Sequence, residues 1–190
     1  MENDINIVPF AEKLHATYFK SLNESWLKQY FKIEPLDHQI LNYPKKEIID
    51  RGGYIFMMLR ALEIIGTFAF LKKEEGVFEF NKMAIREDFR GKGYGTHLMQ
   101  FALHFTDQHH WKKLLLYSNT KLENSIYLYR KFGFKEVPLD NAPYARGNIK
   151  MELDLKENEI VIGYLYIGTV EGKTKKIPEL STKDFVVTWE

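Results

Sequence analysis

A glycine-rich basic segment is the part of the sequence whose residue types and spacing best suit chemistry. It reads Arg-Gly-Lys-Gly-Tyr-Gly over residues 90–95. Glycines at the start of a helix let the backbone approach a ligand closely and leave free N–H groups aimed at it. The helix dipole adds partial positive charge there, and Arg90 and Lys92 add full charges. The segment therefore predicts a site for phosphate or pyrophosphate, although the same residues also suit a plain tight turn.

The segments on either side of residues 90–95 are those that a phosphate-binding loop needs. Residues 77–85 before it have the length and the apolar composition of a β-strand. The segment matches neither the Walker A sequence nor Gly-x-Gly-x-x-Gly, so the common nucleotide fingerprints do not apply. Apolar side chains then recur at helical spacing after the loop, at Leu98, Phe101, Ala102 and Phe105.

The loop resembles a motif of a known enzyme superfamily. Arg90, Gly93 and Gly95 match the Arg/Gln-x-x-Gly-x-Gly/Ala pyrophosphate loop of the GNAT acetyltransferases. A second block, residues 124–134, is similar to the family's Asn-Ala-x-x-x-Tyr-x-x-x-Gly-Phe sequence. The two motifs stand in the family's order, about thirty residues apart, and the resemblance covers roughly residues 5–155.

The rest of the chain predicts the element order β-α-α-β-β-β-α-β-α-β-β, which is the order of the GNAT fold. The resemblance implies an α/β protein with a GNAT-like mixed central sheet and helices on both faces. Asp37 is interpreted as the cap of the second helix. Helices are predicted at residues 11–30, 37–41, 96–105 and 122–132, and strands at residues 5–8, 54–59, 64–71, 77–85, 113–117, 134–137 and 148–155.

Composition limits the classes of protein that this chain can represent. With 190 residues, 45% of them apolar, one globular domain is the default expectation. A net charge of +1 argues against a strongly electrostatic nucleic-acid binder. The absence of cysteine excludes disulfides, thiolate metal sites and a cysteine nucleophile. No signal peptide and no apolar run of the ~20 residues that a membrane helix needs are found, so a cytoplasmic protein without membrane partners is expected.

Residues 156–190 do not fit the predicted fold and are interpreted as a C-terminal extension of a domain at residues 1–155. They resemble the end segment of flavin-dependent nitroreductases, which in that family packs across a dimer. The nitroreductase body with its flavin contacts is absent, so no flavin is expected. The extension is predicted to add a strand and an arm that covers a sheet edge or a partner subunit in a homodimer, with a loosely packed tail as the alternative. The matching residues are Gly163, Tyr166, Gly168, Thr169, Asp184, Phe185 and Trp189.

The GNAT resemblance implies acetyl-CoA as the co-substrate and suggests where it binds. The backbone near residues 83–85 would pair with the pantetheine arm and stabilise the oxyanion, and the glycine loop would hold the pyrophosphate. No metal is expected, since the adjacent His109 and His110 have no third ligand at metal spacing. The residues predicted to bind the coenzyme are Met83, Ala84, Ile85, Arg90, Gly91, Lys92, Gly93, Tyr94, Gly95, Thr96, Asn119 and Asn124, the last of which equally suits a helix-start cap.

Two residues are predicted to be catalytic. Tyr129 matches the tyrosine that often protonates the departing thiolate in the family. Its phenol has a pKa near ~10, above that of a typical thiol near ~8.5, so it can donate without being ionised beforehand. Glu79 is the candidate base, because an alkylamine of pKa near ~10.4 is almost entirely protonated at pH 7. The alternatives are a core tyrosine for Tyr129 and a solvent-facing strand residue for Glu79.

The sequence thus favours direct acetyl transfer from acetyl-CoA to the primary amine of a small molecule. No Gly-x-Ser-x-Gly sequence is present for an acyl-enzyme route. Arg146, with Tyr144, either binds a carboxylate of the acceptor or forms a structural salt bridge. The competing functions are a protein or peptide N-acetyltransferase and a non-catalytic acyl-CoA-binding module.

Overall fold

The computed structural model describes residues 5–155 and contains seven strands. The strands are β1 (Ile5–Pro9), β2 (Tyr54–Arg60), β3 (Glu63–Glu74), β4 (Val77–Ile85), β5 (Lys113–Ser118), β6 (Lys135–Val137) and β7 (Ile149–Asp154). The α-helices are α1 (Glu12–Tyr30), α2 (Pro35–Asn42), α3 (Pro44–Glu47), α4 (Tyr94–Gln108) and α5 (Glu123–Lys131), and short 3₁₀ turns lie at Ile49–Arg51 and Glu87–Phe89.

The strands form one sheet in the order β1-β2-β3-β4-β5-β7-β6. Every neighbouring pair is antiparallel except β4 and β5, which are parallel. The predicted α/β fold with a mixed central sheet is confirmed. Several predicted boundaries are wrong: α4 extends over Tyr94–Gln108 rather than 96–105, and β3 continues to Glu74 rather than ending at residue 71. The second helix begins at Pro35, and Glu34 is its N-cap; Asp37 completes the capping box from the third helical position.

Helices cover both faces of the sheet, and each face has its own apolar core. On β2, Phe56 and Met58 pack with residues of α4 and α5, whereas Ile55 and Met57 pack with residues of α1 and α2. Successive strand residues point to opposite faces, so a strand buried on both faces is apolar throughout. The run Tyr-Ile-Phe-Met-Met-Leu of β2 has this composition.

The sheet opens in its middle, between β4 and β5. These strands pair only from Val77 opposite Lys113 to Glu79 opposite Leu115. Beyond that point β4 continues along β3, and β5 continues along β7. The two strands therefore diverge toward their carboxyl ends and leave a gap in the sheet.

Within residues 5–155 no helix is both long and apolar enough to cross a bilayer. The predicted C-terminal extension, including its nitroreductase-like residues and its role in a homodimer, lies outside the described residues and stays a prediction.

Candidate active site

The gap between β4 and β5 is the floor of a cleft of about 590 Å³. The cleft is also bordered by the carboxyl end of α1, the segment 144–147, the loop at residues 90–95 and the start of α5. A ligand in this cleft would contact four parts of the chain that are far apart in sequence.

The edge of β4 that faces the gap is not paired with β5. Arg86 donates its backbone N–H to the Ile65 carbonyl at 2.8 Å, so the neighbouring Ile85 points its backbone away from β3. β5 pairs with β4 only as far as Glu79, so no strand lies beside this part of β4 in the gap. An extended ligand arm can therefore bind this edge as an added strand would.

The glycine loop has the conformation that its sequence predicts. Gly91 and Gly93 have φ of +73° and +86°, in the left-handed region that favours glycine. Gly93 is the N-cap of α4 and gives the helix no side-chain cap. The first backbone bond at this end runs from the His97 N–H to the Gly93 carbonyl at 3.2 Å, so the N–H groups before His97 lack helical partners. The loop thus presents unpaired N–H groups at a positive helix end.

The two basic side chains of the loop hold its shape. Arg90 donates through Nε to the Ile85 carbonyl at 3.0 Å and through Nη1 to the Gln29 side chain at 3.0 Å. Lys92 donates to the Asp88 carbonyl at 2.8 Å. Arg90 lines the cleft and ties the loop to the free edge of β4, whereas the side chain of Lys92 lies outside the cleft lining.

Tyr129 reaches the cleft from α5. Its ring packs against Phe80 and Phe134, with centroids 6.4 and 6.0 Å apart. Within residues 5–155 its hydroxyl has no hydrogen-bond partner. Every wholly buried side-chain polar atom in this range has such a partner, so the Tyr129 hydroxyl is not wholly buried and faces the cleft. Burial raises the pKa of Tyr129 to about 12, which keeps the phenol protonated at neutral pH.

Glu79 is buried, with 2% of its surface exposed, so the alternative of a solvent-facing strand residue is wrong. Its carboxylate accepts hydrogen bonds from Lys73, at 2.9 Å, and from the Asn81 side chain. Asn81 lines the cleft but Glu79 does not. Any contact of Glu79 with a substrate amine must therefore pass through Asn81 or a water molecule.

The two asparagines predicted to touch the ligand both line the cleft. Asn119 donates to the Arg146 carbonyl at 2.6 Å and accepts from the Lys121 N–H at 2.8 Å, so its amide holds two loops together. Asn124 lies inside α5, whose N-cap is Leu122, and the interpretation of Asn124 as a helix-start cap is wrong.

The cleft brings together nine of the fourteen predicted site residues and leaves five outside its lining. Those that line it are Met83, Ala84, Ile85, Arg90, Gly91, Gly95, Asn119, Asn124 and Tyr129. Those outside it are Glu79, Lys92, Gly93, Tyr94 and Thr96. In the described part of the chain, no three side chains of His, Asp or Glu are placed to hold a metal ion.

A buried charged network beside the cleft was not predicted, and Lys82 is at its centre. Lys82 and Met83 together face Phe68 of β3, which is a β-bulge, and Lys82 has a φ of +54°. Its ammonium donates to Asp37 at 2.8 Å and to the Tyr144 hydroxyl at 2.8 Å. Burial lowers the pKa of Lys82, although the contact with Asp37 opposes that effect.

Arg146 completes this network through Asp37. Its guanidinium donates to both Asp37 oxygens, at 2.6 and 2.9 Å, and to Glu34 at 3.1 Å. The structural salt bridge predicted for Arg146 is thereby confirmed. Burial alone would raise the pKa of the Asp37 carboxyl, but the hydrogen bonds from Arg146 and the charge of Lys82 lower it below its usual range.

Comparison with known proteins identifies the family. The model of the acetyltransferase (GNAT) family matches residues 15–134, and the chain therefore belongs to that family. A search of curated proteins finds no match.

Solved structures show the same fold at low sequence identity. A GNAT-family acetyltransferase from Staphylococcus aureus Mu50 aligns with a TM-score of 0.71 and 19% identity, covering 80% of this chain and 99% of that chain. PaiA N-acetyltransferase from Thermoplasma acidophilum, in complex with coenzyme A, aligns with a TM-score of 0.62 and 16% identity, covering 80% and 99%. A chimera of the spermidine N-acetyltransferase of Vibrio cholerae aligns with a TM-score of 0.64 and 17% identity, covering 80% and 96%.

Proposed function

We propose that the protein is an acetyl-CoA-dependent N-acetyltransferase that acts on the primary amine of a small molecule. The observation that carries the proposal is the convergence of three features on one cleft. These are the free backbone edge of β4, the glycine loop at the start of α4 and the hydroxyl of Tyr129. The pyrophosphate would bind the N–H groups of the loop, and the pantetheine arm would lie along β4.

The reaction proposed is direct attack of the amine on the thioester carbonyl. The C–N bond forms, the oxyanion is stabilised by a backbone N–H of β4, and the C–S bond then breaks. The amine loses one proton to a base or to water, and the thiolate gains one from Tyr129. The pKa of Tyr129, about 12, keeps the phenol protonated at neutral pH, so it holds the proton that it shares with the sulfur as the C–S bond breaks, and the phenol regains a proton from solvent.

Acetyl-CoA is expected to raise the melting temperature. At a hundredfold excess over Kd, the stabilisation is about 2.7 kcal/mol, or a shift of roughly 5–10 °C for a chain of this size. Gly93→Val should abolish this shift, because a β-branched residue cannot hold the left-handed conformation that positions the loop. Differential scanning calorimetry with and without acetyl-CoA measures both effects.

Gly76→Val is the matched control, since Gly76 has a φ of +76° in the β3–β4 turn and does not line the cleft. It should lower the melting temperature of the free protein and keep the shift caused by acetyl-CoA. A wild-type protein with no shift at saturating acetyl-CoA would rule out the proposed function.

The role of Glu79 as a base is a separate part of the proposal. If its carboxylate takes the amine proton through water, Glu79→Gln should lower kcat at pH 7 by roughly a hundredfold. The control is Lys73→Met, which removes the ion pair at 2.9 Å but leaves the carboxylate in place. Steady-state rates that fall equally in both variants, in step with the melting temperature, would assign Glu79 a structural role only.

A further inference from the structure

The side chains of β4 divide the cleft lining between the two faces of the sheet. Met83 and Ile85 pack with a core that includes residues of α4 and α5, and Tyr129 packs against the same core. Lys82 and Ala84 point to the opposite face, where Lys82 contacts α2 and Ala84 packs with residues of α1 and α2. The proposed coenzyme contacts include Tyr129 and the start of α4. We therefore expect the acceptor to bind on the other face, called here the α1–α2 face.

The charges on the α1–α2 face compensate one another. The Lys82 ammonium lies 2.8 Å from Asp37, and the side chains of this pair are 2% and 0% exposed. Arg146 donates to both oxygens of Asp37, at 2.6 and 2.9 Å, and to Glu34 at 3.1 Å. Two cations thus meet two carboxylates in one network. The other charged residues of the lining lie in the glycine loop or next to the start of α5, namely Arg90, Lys121 and Glu123.

This balance bears on the acceptor. Among the described residues that line the α1–α2 face, neither a carboxylate nor a second ammonium of an acceptor would find an unpaired opposite charge. A charged group that loses water without gaining such a partner weakens binding. The face therefore favours an acceptor whose only charged group is the amine that reacts.

The wall that α1 contributes to this face is aromatic. Its last turns and the residue after them bring Trp26, Tyr30 and Phe31 to the cleft lining. The rings of Trp26 and Phe31 lie edge to face, with centroids 6.3 Å apart, and both pack with the core that contains Ala84. The indole N–H of Trp26 donates to Asn23 of the same helix at 3.4 Å. The wall thus offers ring surface to a ligand rather than polar groups.

Tyr144 adds a fourth ring, and the charged network holds this ring in place. Its hydroxyl accepts a hydrogen bond from Lys82 at 2.8 Å, and the Arg146 guanidinium lies 4.1 Å from the ring centroid. Tyr144 is buried and lines the cleft. The network therefore supports the aromatic lining and leaves it uncharged. Such a lining suits a ligand with a flat apolar body.

We infer that the acceptor is an arylalkylamine, a molecule with one primary amine and a flat apolar body. This inference rests on the proposed function and narrows its substrate class. The body packs against Trp26, Phe31 and Tyr144, and the amine attacks the thioester beside β4. An amino acid or a polyamine is disfavoured, because its carboxylate or its additional ammonium would be desolvated without a partner on the α1–α2 face.

The test compares four acceptors at saturating acetyl-CoA, namely 2-phenylethylamine, ethylamine, phenylalanine and spermidine. Ethylamine lacks the ring, phenylalanine adds a carboxylate, and spermidine replaces the ring with additional cations. We expect kcat/KM for 2-phenylethylamine to exceed that for each of the others by at least about tenfold. The reason is that its ring gains apolar contacts and no unpaired charge is buried with it.

Trp26→Ala tests the aromatic wall directly. In this variant the ratio of kcat/KM for 2-phenylethylamine over ethylamine should fall about tenfold, because ethylamine has no ring to pack on the indole. Both rates come from the same protein, so a partial loss of folded enzyme cancels in the ratio. Tyr30→Ala is a second variant that costs little stability, since Tyr30 is 48% exposed, and it should lower the ratio several-fold.

Tyr43→Ala is the matched control, because Tyr43 is 62% exposed and lies outside the cleft lining. It should keep the wild-type ratio. If ethylamine, phenylalanine or spermidine is acetylated as well as 2-phenylethylamine, or if neither Trp26→Ala nor Tyr30→Ala lowers the ratio, the inference fails while the acetyltransferase proposal stands. If none of the four is acetylated, the inference also fails. A melting temperature that acetyl-CoA raises then leaves the proposed function in place, whereas an unchanged one overturns it as well.

Discussion

Replacing Tyr129 by Phe should lower kcat by roughly a hundredfold or more, with little change in the affinity for acetyl-CoA. The substitution removes only the hydroxyl, which has no hydrogen-bond partner within residues 5–155 and faces the cleft. The departing thiolate then lacks its proton donor, while the ring keeps its packing against Phe80 and Phe134. Steady-state kinetics give kcat, and a calorimetric titration with acetyl-CoA gives Kd.

Tyr127→Phe provides the matched control, because this tyrosine lies two residues away on α5 and is 71% exposed. It should leave both kcat and the melting temperature at their wild-type values. If the Tyr129→Phe variant keeps its rate, or loses rate only in proportion to its stability, Tyr129 is a core tyrosine without a catalytic role, which is the alternative given above. Because the pKa of Tyr129 is about 12, a loss of rate centred well below pH 12 belongs to another group.

The fold could be predicted because its signals are local in sequence. A continuous apolar run indicates a strand buried on both faces, and the positive φ of Gly91 and Gly93 follows from their residue type. Tyr129 was predicted to be a site residue from its match to the family motif, and it lies in the cleft lining. In each case the feature depends on residues that are close together in the sequence, so it can be predicted from the sequence.

The charged network could not be predicted, because its contacts are long-range. Lys82 meets Asp37 across 45 positions of sequence, and Arg146 meets Asp37 across 109. The bulge that turns Lys82 inward requires a left-handed lysine, which residue type does not predict. In the sequence Lys82 resembles a polar residue on an exposed strand face, and Asp37 resembles a helix cap. A lysine in the central strand, close to Glu79 and Asn81, was the available signal.

Asp37→Ala is expected to destabilise the protein by about 3–5 kcal/mol, which corresponds to a fall in melting temperature of roughly 10 °C. Asp37 has no exposed surface, and it is the shared partner of Lys82 and Arg146. Its removal leaves the Lys82 ammonium buried without a carboxylate and Arg146 with Glu34 alone. Asp50→Ala is the control, since Asp50 pairs with Lys45 on the surface and should show no measurable change.

The ionisation of Asp37 determines how its contribution to stability depends on pH. The pKa of Asp37 is lower in the folded protein than its ordinary value of 3.8, so the charged form is favoured by folding. The contribution of the Asp37 charge to stability is complete at pH values above the pKa of Asp37 in the unfolded chain. It is lost as the pH falls through the pKa of Asp37 in the folded protein. The difference in melting temperature between wild type and Asp37→Asn should therefore be constant from pH 7 to about 5 and narrow below about 4. A difference that persists unchanged at pH 3 would attribute the stabilisation to hydrogen bonding and packing rather than to the charge of Asp37.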